Sequence, residues 1–211
     1  MSGLFAPQIT AAQGTTYLTN LGQASNGSLA VGNDGWLAIP FLTGNNSSGY
    51  SLDSVQLAMT DASGNPSDFT VMLDVAFNLI SPGSSLGTLN GSLNPATGGI
   101  YTYTPDSNIT LLAGRQYFIV LTAGTAVGTG AYDLSTAGKS SYNRIGNWAE
   151  GNFAGGTLST SIDGQNWNEA EIIFPQFAIY ATPVPEPSTE MLLSFGGILL
   201  LGFGRWKAKS V

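Results

Sequence analysis

The chain has 211 residues, enough for one domain with a sizeable core and a tail, and it contains neither cysteine nor histidine. This composition excludes disulfide bonds, cysteine zinc sites, thiol nucleophiles and any catalytic triad that uses histidine. The net charge is −7 and only 9% of residues are charged, so nucleic acid is excluded as an expected partner. The 28 glycines are typical of a turn-rich all-β fold.

The first segments predict an irregular lead followed by the start of a β-domain. Residues 1–30 are polar with few apolar side chains, and we expect at most two short strands there. Residues 36–42 (WLAIPFL) predict a strand. Pro40 within it favours an edge position or a bulge, because proline has no N–H to donate to a neighbouring strand.

Three further segments predict strands of the core. Residues 52–59 and 69–77 alternate apolar and polar side chains, as half-buried strands do. Residues 61–68 between them are rich in turn formers, so we expect the two strands to form a hairpin with a long loop. Residues 117–121 (YFIVL) are apolar on both faces and predict a central strand.

The remaining strands complete the predicted domain. Residues 158–167 contain Asp163-Gly164 and predict a hairpin, and residues 172–175 and 177–180 predict two closing strands. Roughly ten short strands with no convincing soluble helix indicate an all-β fold of the sandwich or jelly-roll type. We expect it to be a single domain over residues 31–182.

A turn in the predicted hairpin offers a candidate calcium site. Asp61, Asn65 and Asp68 supply oxygen ligands, although their spacing differs from that of an EF-hand loop. The alternative is a plain turn closed by Asx hydrogen bonds. We expect no other metal and no other cofactor.

Aromatic residues outside the alternating segments offer a candidate sugar-binding site. Trp148 and Trp167 lie in Asn- and Gly-rich segments that predict loops, and Trp36, Tyr132 and Tyr142 also fall outside the alternating strands. Exposed aromatic rings can stack on the apolar faces of sugars. The alternative is packing of these rings beneath the loops.

One pair of acidic residues could suggest a hydrolase. Glu169 and Glu171 would share a strand face, and a glycosidase needs two carboxyl groups roughly 5–10 Å apart in a cleft. A solvated acidic edge is the stronger alternative. We therefore expect the protein not to be an enzyme.

The end of the chain has three elements in a fixed order. Residues 183–190 (PVPEPSTE) form a proline-rich linker that cannot join a helix or a central strand. Residues 191–204 carry no charge and predict a short transmembrane helix. Arg205, Lys207 and Lys209 are half of the six basic residues, and they favour a cytoplasmic C-terminus.

This order resembles the PEP-CTERM sorting signal of Gram-negative bacteria. The resemblance is carried by Val184, Pro185, Glu186 and Pro187, followed by the apolar run and the basic end, whose charges alternate here where the family often has an unbroken cluster. It implies an exported protein that an exosortase, an integral membrane enzyme, processes near the Pro-Glu-Pro motif and then releases or re-anchors at the surface.

Residues 33–182 resemble a second family, the choice-of-anchor R domain. The resemblance implies a bacterial surface domain with interchangeable C-terminal anchors, and no assigned activity. The segments that carry it are residues 52–59, 62–67, 69–71, 87–89, 101–103, 111–114, 117–121 and 175–182.

These observations predict an exported, non-catalytic protein of the cell surface or the extracellular biofilm matrix. Residues 1–190 would face outside with three basic residues against thirteen acidic ones, a net charge of −10. Residues 1–7 lack the segments of a signal peptide, so we expect that peptide to lie upstream or to have been removed. The alternatives are an exopolysaccharide-binding module acting through Trp148 and Trp167, and a structural subunit that self-associates through strand edges.

Overall fold

A computed structural model describes residues 14–139, 141–151, 158–170 and 173–186, which form seventeen β-strands and no helix. The predicted all-β class is confirmed. Among these described residues there is no helix of the length and apolarity that a membrane span requires. The strands are β1 Thr15–Thr19, β2 Ser25–Val31, β3 Trp36–Leu42, β4 Tyr50–Met59, β5 Ser63–Gly64, β6 Thr70–Ala76, β7 Pro82–Asn90, β8 Gly99–Pro105, β9 Thr110–Leu111, β10 Gln116–Thr122, β11 Gly130–Ala137, β12 Asn143–Arg144, β13 Ala149–Glu150, β14 Ser159–Ser161, β15 Asn168–Glu169, β16 Phe174–Pro175 and β17 Phe177–Pro183.

The strands pair antiparallel in two groups. In the first group β17 lies between β1 and β4, β4 also pairs with β8 and β9, and β11 pairs with β2 and β16. In the second group β10 lies between β3 and β6, β7 follows β6, and β13 and β14 pair with β3. Strand β8 pairs with β4 and with β7, and so joins the two groups.

One hydrophobic core is shared by both groups of strands. It includes Leu57 and Ile179 from the first group and Leu73 and Ile119 from the second, all essentially inaccessible to solvent. Burying a side chain of this size contributes roughly 1.5–3 kcal/mol, so the alternating residues are the main source of stability. The central strand predicted at residues 117–121 is confirmed as β10, which is buried along nearly its whole length.

The predicted hairpin between β4 and β6 is wrong. Strand β4 pairs with β17 and β8, whereas β6 pairs with β10 and β7 in the other group. The alternating pattern identifies each segment as a strand, but it carries no information about the partner. Phe77 continues the pattern in the sequence, yet it lies just beyond the end of β6 and is 79% exposed.

The predicted edge position of β3 is also wrong, because β3 has partners on both sides. Pro40 lies opposite Phe118 of β10, and its carbonyl accepts a hydrogen bond from the backbone of Gly151 on the other side. That side is paired at Phe41 by β13 and at Ala38 by β14, so the missing N–H of Pro40 falls between these two short strands. The interruption lets a proline sit inside a paired strand.

The described part of the predicted lead belongs to the sheet. Strand β1 pairs with β17, and Leu18 within it is fully buried. The strands of the domain therefore begin at Thr15, before the predicted boundary at residue 31. The hairpin predicted around Asp163-Gly164 is confirmed as β14 and β15, and Gly164 takes a positive φ of 72° in its loop.

A buried carboxylate lies on the face of the second group that points away from the shared core. Asp74 is 8% exposed and lies opposite Phe118 of β10. Phe118 packs with Ala38 and Val120 in a small apolar cluster on this face. Within the described residues, its Oδ1 has no hydrogen-bond partner. Burial raises the pKa of Asp74, and the neighbouring Ser85 side chain partly offsets the effect.

We predict that Asp74→Asn stabilises the protein at pH 7 by about 1–3 kcal/mol, because it removes a charge whose burial is only partly compensated. A raised pKa means that the folded state binds the proton more tightly, so wild-type stability falls as the pH rises from the ordinary carboxyl value of 3.8 through the raised one. The stabilisation by Asp74→Asn should therefore vanish below pH 3.8, where the carboxyl group is protonated in both the folded and the unfolded state.

Melting temperatures across this pH range check the prediction. Asp106→Asn is the control, because Asp106 is exposed and its removal should shift stability little at any pH. If Asp74→Asn raised the stability equally at acid and neutral pH, the raised pKa of Asp74 would be contradicted.

Candidate functional site

The point where the chain leaves the domain is held by a short loop. Strand β17 ends at Pro183, opposite Tyr50 at the start of β4. The next residue, Val184, donates its backbone N–H to the Gly49 carbonyl at 3.0 Å. The Asn46 side-chain amide donates to the carbonyls of Val184, at 3.0 Å, and of Gly49, at 2.6 Å. A single side chain thus ties the departing chain to the loop before β4.

A second contact extends this attachment by two residues. Ser47 donates its hydroxyl to Glu186 Oε1 at 2.8 Å, and its backbone N–H lies 3.4 Å from the same oxygen. We call Asn46, Ser47, Gly49, Val184 and Glu186 the exit clasp. Its hydrogen bonds fix the direction in which the chain leaves the domain.

The structure brings part of the predicted sorting motif to the surface. Val184 is half-buried, whereas Pro185 and Glu186 are exposed. Pro187, the apolar run 191–204 and the basic residues Arg205, Lys207 and Lys209 lie outside the described residues. The clasp itself was not predicted, because Asn46 and Val184 are 138 positions apart in the chain.

The clasp rests on residues that fix the shape of its loop. Gly49 has a φ of 79°, and a Cβ there would lie 2.5 Å from the Leu111 carbonyl oxygen. Glycine is therefore required at this position. The Tyr50 hydroxyl accepts a hydrogen bond from the Asn46 backbone N–H at 3.2 Å, and the Tyr50 ring packs edge-on against Trp148.

Trp148 is a core residue, so the expectation that it lies exposed in a loop is wrong. It is 1% exposed, and its ring stacks on Tyr17 at 4.9 Å and lies parallel to Phe41 at 6.1 Å. A buried ring cannot stack on a sugar. Tyr132, a second aromatic expected outside the core, is completely buried in β11.

Trp167 lies on a different face of the domain. It is half-buried and packs with Trp36 against Ala38, Phe118 and Val120, on the side of the second group away from the shared core. Trp148 and Trp167 therefore do not form one site. Trp36 and Trp167 are the aromatic pair that the fold does bring to one surface.

The candidate calcium ligands contact different parts of the chain. Asp61 Oδ1 accepts the backbone N–H of Gly98 at 2.7 Å, whereas the Asp68 carboxylate lies against Gly124. Asn65 is exposed in the turn between them. Within the described ranges, no group of three or more acidic side chains is placed to hold a metal ion. Calcium binding at this turn stays a prediction.

The carboxylates of the surface clefts also have partners. A cleft of about 520 Å³ is lined by Asp53 and Asp106 among polar residues of β4 and β8. Asp53 accepts a hydrogen bond from Thr182 at 2.8 Å, and Asp106 accepts one from Asn90 at 3.1 Å. Glu169 is exposed, and Glu171 lies outside the described residues. These contacts match carboxylates of a structural surface.

Comparisons with protein-family models, with curated proteins and with solved structures find no match to this chain.

We predict that Trp148→Ala destabilises the fold by about 3–5 kcal/mol, because it leaves a large cavity among Tyr17, Phe41 and Tyr50. Trp167→Ala is the matched control and should cost clearly less, since that ring is only half-buried. Urea unfolding measures both. Similar losses from the two variants would contradict the placement of Trp148 at the centre of the core.

We predict that Asn46→Ala loosens the exit without unfolding the domain. The loss of its two hydrogen bonds should speed amide exchange of Val184 by roughly fivefold, the equivalent of about 1 kcal/mol. Asn45→Ala is the control, because Asn45 is an exposed neighbour in the same loop. Unchanged exchange at Val184 in Asn46→Ala would show that the clasp does not hold the exit.

Proposed function

We propose that the protein is an exported, non-catalytic component of the bacterial surface or extracellular matrix, sorted by its C-terminal tail. In this proposal the strands form a β-sandwich that faces outside, and residues 191–204 span the inner membrane transiently. Arg205, Lys207 and Lys209 stay on the cytoplasmic side. An exosortase processes the chain near the Pro-Glu-Pro motif, and the domain then joins the envelope or the polysaccharide outside.

The observation that supports this proposal most is the position of the motif relative to the domain. The last strand ends at Pro183, and Pro185 and Glu186 follow it immediately at the exposed surface. A processing enzyme needs an accessible segment of chain outside the folded domain. Removal of the chain beyond Glu186 would leave every strand of the domain and the exit clasp intact.

The composition of the domain is consistent with the proposed extracellular location. Its core is formed without a single cysteine, so it does not depend on the redox state of its surroundings. The acidic excess disfavours electrostatic attraction to polyanions such as nucleic acid.

Fractionation of the native host with and without its exosortase tests the proposal. We expect wild-type cells to release a shortened protein, and cells without the enzyme to keep the full-length protein in the membrane. A triple variant, Pro185→Ala, Glu186→Ala and Pro187→Ala, should stay full-length in the membrane of wild-type cells. The wild-type protein should do the same in cells without the exosortase. Glu169→Ala, which removes an exposed glutamate elsewhere, should be released normally.

Release of the motif variant at the wild-type level would contradict processing at this motif. Membrane retention of the wild-type protein in both strains would show that the tail is a plain anchor.

A second candidate function, sugar binding, is favoured by the pair Trp36 and Trp167. Both rings are partly exposed on one face, and the Trp36 indole N–H is already occupied by the Asn33 carbonyl at 2.9 Å, which holds that ring in place. The Trp167→Ala variant should then be retained less on the host polysaccharide than the wild-type protein. The control variant Leu93→Ala, which changes an exposed leucine elsewhere, should be retained normally. Equal retention of both variants would remove this alternative.

A further inference from the structure

The two groups of strands bring several loops to the end of the domain where the chain leaves. Pro183 of β17 and Leu111 of β9 both lie opposite Tyr50. In the second group, β10 begins and β6 ends at this same end. The Thr43 hydroxyl, just after β3, donates to the carbonyl of Leu112, just after β9, at 2.6 Å and so links the two groups here. We call this the exit end. The turn from β6 to β7 and the loop before β10 therefore lie at the exit end with the clasp.

Large apolar side chains are exposed at this end. Phe77, Leu79 and Ile80 of the β6–β7 turn are 79%, 53% and 37% exposed, and Leu112 of the loop before β10 is 55% exposed. We call these four residues the apolar rim. Three of them come from one turn of five residues, where solvent exposure of so much apolar surface is unfavourable in a free domain.

The turn that carries the rim has a defined shape. Asn78 Oδ1 accepts the backbone N–H groups of Ile80 and Ser81 at 2.9 and 2.8 Å. The Gln116 side chain donates to the Leu79 carbonyl at 3.0 Å, which ties the turn to the start of β10. The fold therefore holds the apolar side chains outward at a fixed place.

The sequence beyond Glu186 limits how far this end can stand from a membrane. Only residues 187–190 separate Glu186 from the apolar run that begins at Met191. A fully extended chain advances at most about 3.6 Å per residue, so the five steps from Glu186 to Met191 reach at most about 18 Å. The exit end must lie within that distance of any bilayer that holds residues 191–204.

We propose that the apolar rim contacts the bilayer surface while the tail is anchored, so that the domain rests on the membrane through its exit end. This inference rests on the proposed membrane insertion of residues 191–204. Phe, Leu and Ile side chains enter the boundary between headgroups and acyl chains favourably. The contact is apolar, so it requires neither anionic lipid nor low salt.

The absence of cysteine from the chain allows a direct test. A single environment-sensitive fluorophore is attached to Leu79→Cys, or to Leu93→Cys as the control. Leu93 is 66% exposed, and its carbonyl accepts the N–H of Phe69, the residue before β6 begins at the opposite end. The full-length protein is reconstituted through its tail into phosphatidylcholine vesicles that carry spin-labelled acyl chains, and flotation measures anchoring.

We expect the fluorophore at position 79 to be quenched by the labelled lipid by roughly twofold or more, and the one at position 93 to be unaffected. Adding Phe77→Ser and Ile80→Ser should abolish quenching at position 79 while the protein still floats with the vesicles. High salt should leave the signal unchanged.

Each other outcome overturns the proposal in a distinct way. Flotation with no quenching at either position means that the domain stands clear of the bilayer, while the proposed anchoring survives. Failure to float removes the membrane insertion of the tail and this inference together. A fluorophore at position 79 that is shielded from water but not quenched by lipid means that the rim pairs with a second copy of the chain.

Discussion

The last described strand of the domain, β17, is paired along both of its edges. Strand β17 is hydrogen-bonded to β1 and to β4, and Phe177, Ile179 and Ala181 within it are buried. The chain can therefore leave the domain at only one point and in one direction. The segment that we propose to be processed therefore starts from a position that the sheet itself determines.

The aromatic core is connected to the exit clasp by a chain of contacts. Trp148 packs against Tyr50, the Tyr50 hydroxyl receives the Asn46 N–H, and the Asn46 side chain holds Val184. The exit clasp is thus connected to the largest buried side chain of the domain by two contacts. Residues far from Val184 in sequence set the path of the chain there because they stabilise the loop that holds it.

The sequence predicts the strands better than their partners. Alternation in β4 and β6 follows from local geometry, because one side of each strand faces the core. The partner of a strand depends on contacts with distant segments, so the expected hairpin between these two strands did not form. Trp148 shows the same limit, since the Asn and Gly residues around it indicate a loop but carry no sign of the ring's burial. The exit clasp joins Asn46 to Val184, which are far apart in the sequence, so no local pattern predicts their contact. The three elements of the tail are adjacent in the sequence, so their order can be read directly.

We propose that the chain is processed near the Pro-Glu-Pro motif, at or just beyond the end of the exit clasp. Intact mass spectrometry of the protein released by its native host tests this claim most directly. We expect a released form that keeps Glu186 or ends just before it and lacks the apolar run from Met191 onward. A released protein that retains residues through Val211, or one that ends within the strands of the domain, would contradict it.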